Sequence, residues 1–109
     1  MKTAQPMGLL AQGVTTWNDW RSQAETGVNA LPSRRINLRE APLKRAQLRA
    51  VNLSLVDCCM ADLRYADLGH ADLQEALFYT ANLSYAHLDY ANLTGADLRE
   101  ASLHDSHLR

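Results

Sequence analysis

Asp67, His87 and His107 follow one another at intervals of twenty residues. Two imidazoles and a carboxylate are a donor set that can hold zinc, if the fold brings residues so spaced together. The same interval links Arg45, Tyr65, Tyr85 and Asp105. There the chemistry on offer is recognition: tyrosines stacked beneath a guanidinium, of residue types favoured at protein contacts. Asp57, Asp62, Asp67, Asp72 and Asp97 would suit acid–base catalysis if they converged, and Cys58 and Cys59 are adjacent thiols. No glycine-rich phosphate loop, nucleophile elbow or paired-cysteine zinc motif accompanies them.

The interval has a cause. From Ile36 the chain divides into fives: INLRE, APLKR, AQLRA, VNLSL, VDCCM, ADLRY, ADLGH, ADLQE, ALFYT, ANLSY, AHLDY, ANLTG, ADLRE, ASLHD and a final SHLR. Leucine holds the third place in 13 of 15 units, Cys58 and Phe78 being the exceptions. A small or β-branched apolar residue holds the first place in 14, all but Ser106. On an α-helix five residues turn through about 500°, so successive leucines would point in every direction. On a flat strand an odd period flips each leucine to the opposite side. A chain that bends after every unit keeps them all inside. Four bends of about 90° close a square, and stacked squares pair like a parallel sheet about 4.8 Å apart. Residues 36–109 then supply about four coils, and alanine is needed because a narrow square cannot admit two large residues per side.

Side chains twenty apart lie one above another in this arrangement. The core ladders are Leu38, Cys58, Phe78 and Leu98; Leu43, Leu63, Leu83 and Leu103; Leu48, Leu68 and Leu88; Leu53, Leu73 and Leu93. Cys58 is expected to be an inert core thiol and Cys59 to point outward. The second-place aspartates are expected to bond to nearby backbone amides at the bends, not to catalyse. Outward side chains stacked in one column need not converge, so the Asp67 column is not assigned a metal, and no cofactor is expected.

The units ADLRY, ADLGH, ADLQE, ANLSY and ANLTG match A(D/N)LXX, and the segment resembles the pentapeptide-repeat family. The resemblance implies an all-β solenoid, a right-handed quadrilateral parallel β-helix. With no enzyme motif in the chain and no interior pocket for a substrate in so narrow a solenoid, the chain is read as not an enzyme. Most members have no assigned activity, some bind other proteins, and some bind type II DNA topoisomerases through an acidic rod that imitates DNA.

Residues 1–35 do not follow the repeat and are read as a helical cap and junction, forming one structural domain with residues 36–109. Leu10, Gly13, Val14, Trp17, Trp20 and Ala24 share an arc of about 120° on a helical wheel. Pro6 suits a helix start and Gly27 its end, so the spacing predicts one helix over 7–26. Leu10, Val14, Trp17 and Trp20 would cover the open apolar end of the first coil. The stretch GVTTWNDWR resembles the leader of cyanobacterial members of the family, although here it runs on into NALPSRRINLREAPL. At the other end Leu98, Leu103 and Leu108 have no such cover. Docking of a second copy end to end would supply one, and polar Ser102, Ser106 and His107 would make the edge tolerable without it.

Charge narrows the function classes. Eleven Lys and Arg against 12 Asp and Glu give −1, which argues against a strongly basic nucleic-acid binder. Arg34, Arg35, Arg39, Lys44, Arg45 and Arg49 are read as a solvated basic rim. Summed over the four sides of the square, the charges are −2, +1, 0 and −2, so no side is a strong anion stripe. The expected function is therefore a non-catalytic interaction or scaffold module for a protein partner, with a DNA-mimicking gyrase-binding protein as the alternative. Arg45, Tyr65, Tyr79, Tyr85 and Tyr90 are the candidate contact residues. No apolar run approaches the roughly 20 residues of a membrane span. The adjacent cysteines demand no oxidising compartment, which fits a cytoplasmic setting.

Overall fold

The computed structural model describes residues 6–23 and 35–109. Within 36–109 the backbone is joined by parallel bridges at a constant offset of twenty residues: Asn37 to Asp57, Asp57 to Leu77 and Leu77 to Asp97, and likewise along the other sides. We call each twenty-residue level a tier. Three hydrogen bonds recur between tiers. The second-place N–H donates to the first-place carbonyl one tier below (Asp57 N to Ile36 O, 2.9 Å). The third-place N–H donates to the second-place carbonyl above (Leu38 N to Asp57 O, 2.8 Å), and the fifth-place N–H to the fourth-place carbonyl above (Glu40 N to Cys59 O, 2.9 Å).

A fourth bond closes each bend, from the first-place N–H of the next unit to the third-place carbonyl (Ala41 N to Leu38 O, 3.1 Å). The fifth residue sits at positive φ in every unit from Glu40 to Asp105, between 54° and 72°, the second corner of a type II turn. A turn this frequent leaves one bridging residue per unit. Among the described residues the parallel pairing is therefore a set of isolated bridges and not the continuous strands that an all-β reading suggests.

The bends are held from outside by the second-place residues. Asn37, Asn52, Asp57, Asp62, Asp67, Asp72, Asn82, Asn92 and Asp97 each accept the backbone N–H two residues on, at 2.9–3.2 Å. A carboxylate so engaged serves the fold. Inside, the third-place side chains from Leu38 to Leu88, Cys58 and Phe78 among them, are buried together with the first-place valines and alanines from Val51 to Ala86. Leu93, Leu98 and Leu103 pack against this core but are only partly covered, and Leu108 is 56% exposed.

The N-terminal segment departs from the expected single helix. It forms α1 (Pro6–Ala11) and α2 (Val14–Arg21). Gly13, at φ 112°, breaks the helix between them, a backbone geometry that glycine adopts at little cost. Its place on the apolar arc of the wheel concealed this. Ala24, Gly27 and the expected helix end at 26 lie outside the described residues. Leu10 and Trp17 are buried, and Val14 and Trp20 pack partly buried against the same core. The two indoles meet edge to face at 5.1 Å.

α2 does more than cover leucines. In the first tier the second-place N–H and C=O face away from the tier above. Asn18 supplies Oδ1 to the N–H of Asn52 (2.8 Å), and the Trp17 indole donates to the Asn52 carbonyl (2.7 Å). Asn18 Nδ2 also donates to Ala50 O and Arg21 to Ser54 O. On that side α2 stands in for a missing tier. Pro42, in the corresponding place on another side, has no N–H to leave unpaired.

Candidate functional site

The bridges bring the predicted columns into register. Asp67 pairs with His87 and His87 with His107, and the two imidazoles lie 4.6 Å apart, tilted by 39°. Asp67 turns its Oδ1 toward the N–H of Gly69. Among the described residues no group of three His, Cys, Asp or Glu side chains is gathered closely enough to hold a metal ion.

The tyrosine column is better organised. The Arg45 guanidinium lies 4.6 Å above the Tyr65 ring. Tyr65 and Tyr85 stack at 4.9 Å with their planes 5° apart. Tyr85 then meets His104 edge on at 5.7 Å, and His104 Nε2 lies 3.1 Å from Asp105 Oδ2. This ladder follows from fifth-place rings held at a fixed αL backbone angle, one tier apart. Across the adjoining side His70 and Tyr90 stack at 5.0 Å, and Tyr90 is the most exposed of the aromatics at 68%. Tyr65, Tyr85, Tyr90 and the four histidines thus gather on one side of the molecule and its two edges.

Tyr79 stands apart from them. Its hydroxyl donates to Glu100 (3.1 Å), which raises its pKa, and Arg99 lies 5.7 Å from its ring. The basic residues near the first tier are engaged separately. Arg39 pairs with Asp57 at 3.1 Å, Arg35 donates to Glu75 O, and Arg45 covers Tyr65; Arg34 lies outside the described residues.

One residue differs from its expected setting, and one buried cation joins the cap. Cys59 does not point into solvent: it is buried beside Asp57, and burial followed by its hydrogen bond with that carboxylate pushes the thiol pKa up. Burial does the same, more strongly, to Cys58 in the core ladder. Neither thiol is a ready nucleophile. Arg21 is 2% exposed. Its Nη2 reaches Ser54 O at 2.7 Å and Oγ at 3.2 Å, and desolvation lowers its pKa. The signal for it was present, since Arg21 is one helical turn on from Trp17 and so shares its face.

Surface hollows occur among the described residues. One of about 390 Å³ is lined by Ser54, Leu55, Gln74 and Glu75. Another, about 300 Å³, lies between α1 and the first tier, against Leu43 and Leu48. Neither gathers a nucleophile with a base. What the geometry provides is a rigid surface of stacked rings and fixed charges.

The family pattern described as pentapeptide repeats (8 copies) matches twice, over residues 41–78 and 78–109. The chain belongs to the pentapeptide-repeat family. It is also similar to the crystal structure of the pentapeptide-repeat protein Rfr23 from the cyanobacterium Cyanothece 51142. That likeness has 37% identity and a TM-score of 0.66, and covers 67% of this chain and 50% of that one. This chain therefore spans about half the length of that relative. No curated protein matches. Pentapeptide-repeat membership makes the stack of tiers a right-handed β-helical solenoid, of a kind that is generally structural and not enzymatic. Among the described residues no helix is long and apolar enough to cross a membrane.

Proposed function

We propose that this pentapeptide-repeat protein is a non-catalytic interaction or scaffold module for a protein partner. In this reading residues 36–109 form about four coils and the described N-terminal residues 6–23 a helical cap on the first of them. The observation that carries the reading is the Arg45–Tyr65–Tyr85 stack, an exposed aromatic ladder held rigid before any partner arrives. A contact surface that is already ordered loses little side-chain entropy on binding, and tyrosine and arginine are the residue types that anchor protein contacts. Tyr90 extends it, and Tyr79 offers a smaller patch on another side. A cytoplasmic setting suits the two unpaired cysteines.

The test is capture of partners on the immobilised protein, compared with the Tyr65→Ala/Tyr85→Ala variant. Loss of a captured protein from the variant supports the reading. An identical captured set overturns the assignment to this ladder. Gyrase supercoiling assayed alongside addresses DNA mimicry, for which the charge pattern offers little: no side exceeds −2. Inhibition of gyrase, or its protection from inhibitors, would replace the scaffold reading.

A further inference from the structure

Nine second-place asparagines and aspartates hold their bends by accepting the N–H two residues on. His87 and His107 also occupy second places, one tier apart, and do not. Among the described residues neither imidazole has a hydrogen-bond or ion-pair partner, and both residues are exposed. Their backbones are fixed nonetheless. His87 N–H donates to Ala66 O and His107 N–H to Ala86 O, each at 2.9 Å, and Leu88 N–H donates to His107 O at 2.8 Å. Two rings with free nitrogens are thus held side by side on a rigid wall, 4.6 Å between centres and 39° between planes.

That separation has a chemical meaning. An imidazole nitrogen binds zinc at about 2.0–2.1 Å, which puts the metal about 3.2 Å from the ring centre. Two rings that share one ion at an angle of about 90–110° are therefore centred about 4.5–5.2 Å apart. The observed 4.6 Å falls within that span. The tilt matters too. Rings stacked flat, like Tyr65 on Tyr85 at 5°, keep their in-plane directions parallel, whereas tilted rings turn theirs toward one point. We propose that His87 and His107 chelate a late first-row divalent cation of the zinc class, with water in its remaining positions. Imidazole suits zinc, copper and nickel, and carboxylate or carbonyl oxygen suits magnesium and calcium. The site is open, with two protein donors. Asp67 is not a third, since it lies two tiers from His107 and its Oδ1 serves the N–H of Gly69. Its carboxylate, one tier below His87, and that of Asp89, two residues on, offset the charge of the ion, and Arg109 opposes it. Two prearranged donors bind more tightly than one because the second bond forms within the same molecule. The inference depends neither on the aromatic ladder nor on a protein partner.

The experiment is a zinc chloride titration of the full chain, followed through the histidine ring signals by NMR, with His70 and His104 as internal references. The His87 and His107 signals should move together and reach their end point at one zinc per chain. His87→Gln and His107→Gln, checked for folding by circular dichroism, should each weaken binding ~10-fold or more. His87 and His107 signals that stay still at millimolar zinc overturn the inference. So does an equal response from all four histidines, and so does a shift centred on His104, which would place the ion at the His104–Asp105 pair. Single variants that bind as tightly as wild type overturn it as well, because each imidazole would then act alone. An end point at one zinc per two chains does the same, since the ion would be shared between copies. The titration of the wild type decides the matter by itself if a variant fails to fold.

Discussion

The two ends of the stack begin from the same repeat and are finished differently. At the first tier Leu38, Leu43, Leu48 and Leu53 are buried, and the backbone of Asn52 finds both its partners in α2 side chains. At the far end Leu98 and Leu103 are only partly covered. Among the described residues the N–H groups of Leu98 and Leu103 and the carbonyls of Ala96 and Ala101 have no backbone partner from another tier. A leucine in the third place is thus not buried by the repeat alone; it is buried by having a neighbour on each side. Stability in such a stack is a sum over tier-to-tier contacts. The end that recruits Trp17 and Arg21 should hold more of it than the end whose leucines are only partly covered.

The largest expected effect breaks the favoured end. Trp17→Ala removes a fully buried indole and strands the Asn52 carbonyl, and should cost ~3–5 kcal/mol in urea unfolding followed by circular dichroism. Trp20→Ala, on the half-buried indole beside it, should cost less than half as much. If the two variants fall equally, α2 is not acting as a substitute tier. Next, the same substitution can be made at two heights of the stack. Leu68→Ala, with tiers on both sides, should cost ~2–5 kcal/mol, whereas Leu103→Ala should cost about 1 kcal/mol. Equal losses would mean that something covers the last tier in solution.

The period of five was enough to read the tiers, because only a chain that bends every unit keeps thirteen leucines on one axis. The stacking of Tyr65 on Tyr85 follows from the same count. What resisted reading was set by local geometry that the count does not contain. Gly13 fits the apolar arc of a wheel as well as it fits a break, and only its φ of 112° tells which. Arg21 shares the Trp17 face of its helix, but a charge on that face gains a reason to be buried only from the open carbonyl of Ser54 at the edge of the first tier. Cys59 is covered by Asp57 from its own unit and by the adjoining tier, so an outward place did not mean an exposed one. The fifth places are the sharpest case. Leu55, Tyr65, Thr80 and Tyr85 sit at positive φ where Gly, Asn or Asp would be expected.

That strain yields a smaller prediction, away from both ends. Thr80 is β-branched and held at φ 57°, an unfavourable setting for such a residue. Thr80→Gly should stabilise the chain by about 1 kcal/mol, the relief of the left-handed penalty exceeding the extra freedom of the unfolded glycine. A loss of stability would show instead that the Thr80 hydroxyl bond to Tyr79 O matters more than the backbone strain.

The smallest effect returns to the two ends, through a pair of similar salt bridges. The hydrogen bonds from Arg64 hold the Asp62 carboxyl down at about 2, and those from Arg99 do the same for Asp97. A carboxyl whose pKa is lower folded than unfolded stabilises the fold above its unfolded value, about 3.9, and that contribution fades as pH falls toward 2. Acid should therefore begin to loosen the structure between about pH 4 and pH 2. Both pairs are solvent-accessible, with separations of 2.8 and 2.7 Å, so screening keeps each contribution small. They differ in support. Asp62 lies in the second tier, with Asn82 bridging to it from the tier above, while Asp97 has no bridge above it among the described residues. Asp62→Asn and Asp97→Asn, each of which keeps an oxygen for its bend, should flatten the acid limb of the melting curve. The change should be greater for Asp62, because breaking that pair disturbs a bend locked from both sides. A larger change for Asp97 would mean that the open end depends on its surface charges more than on packing.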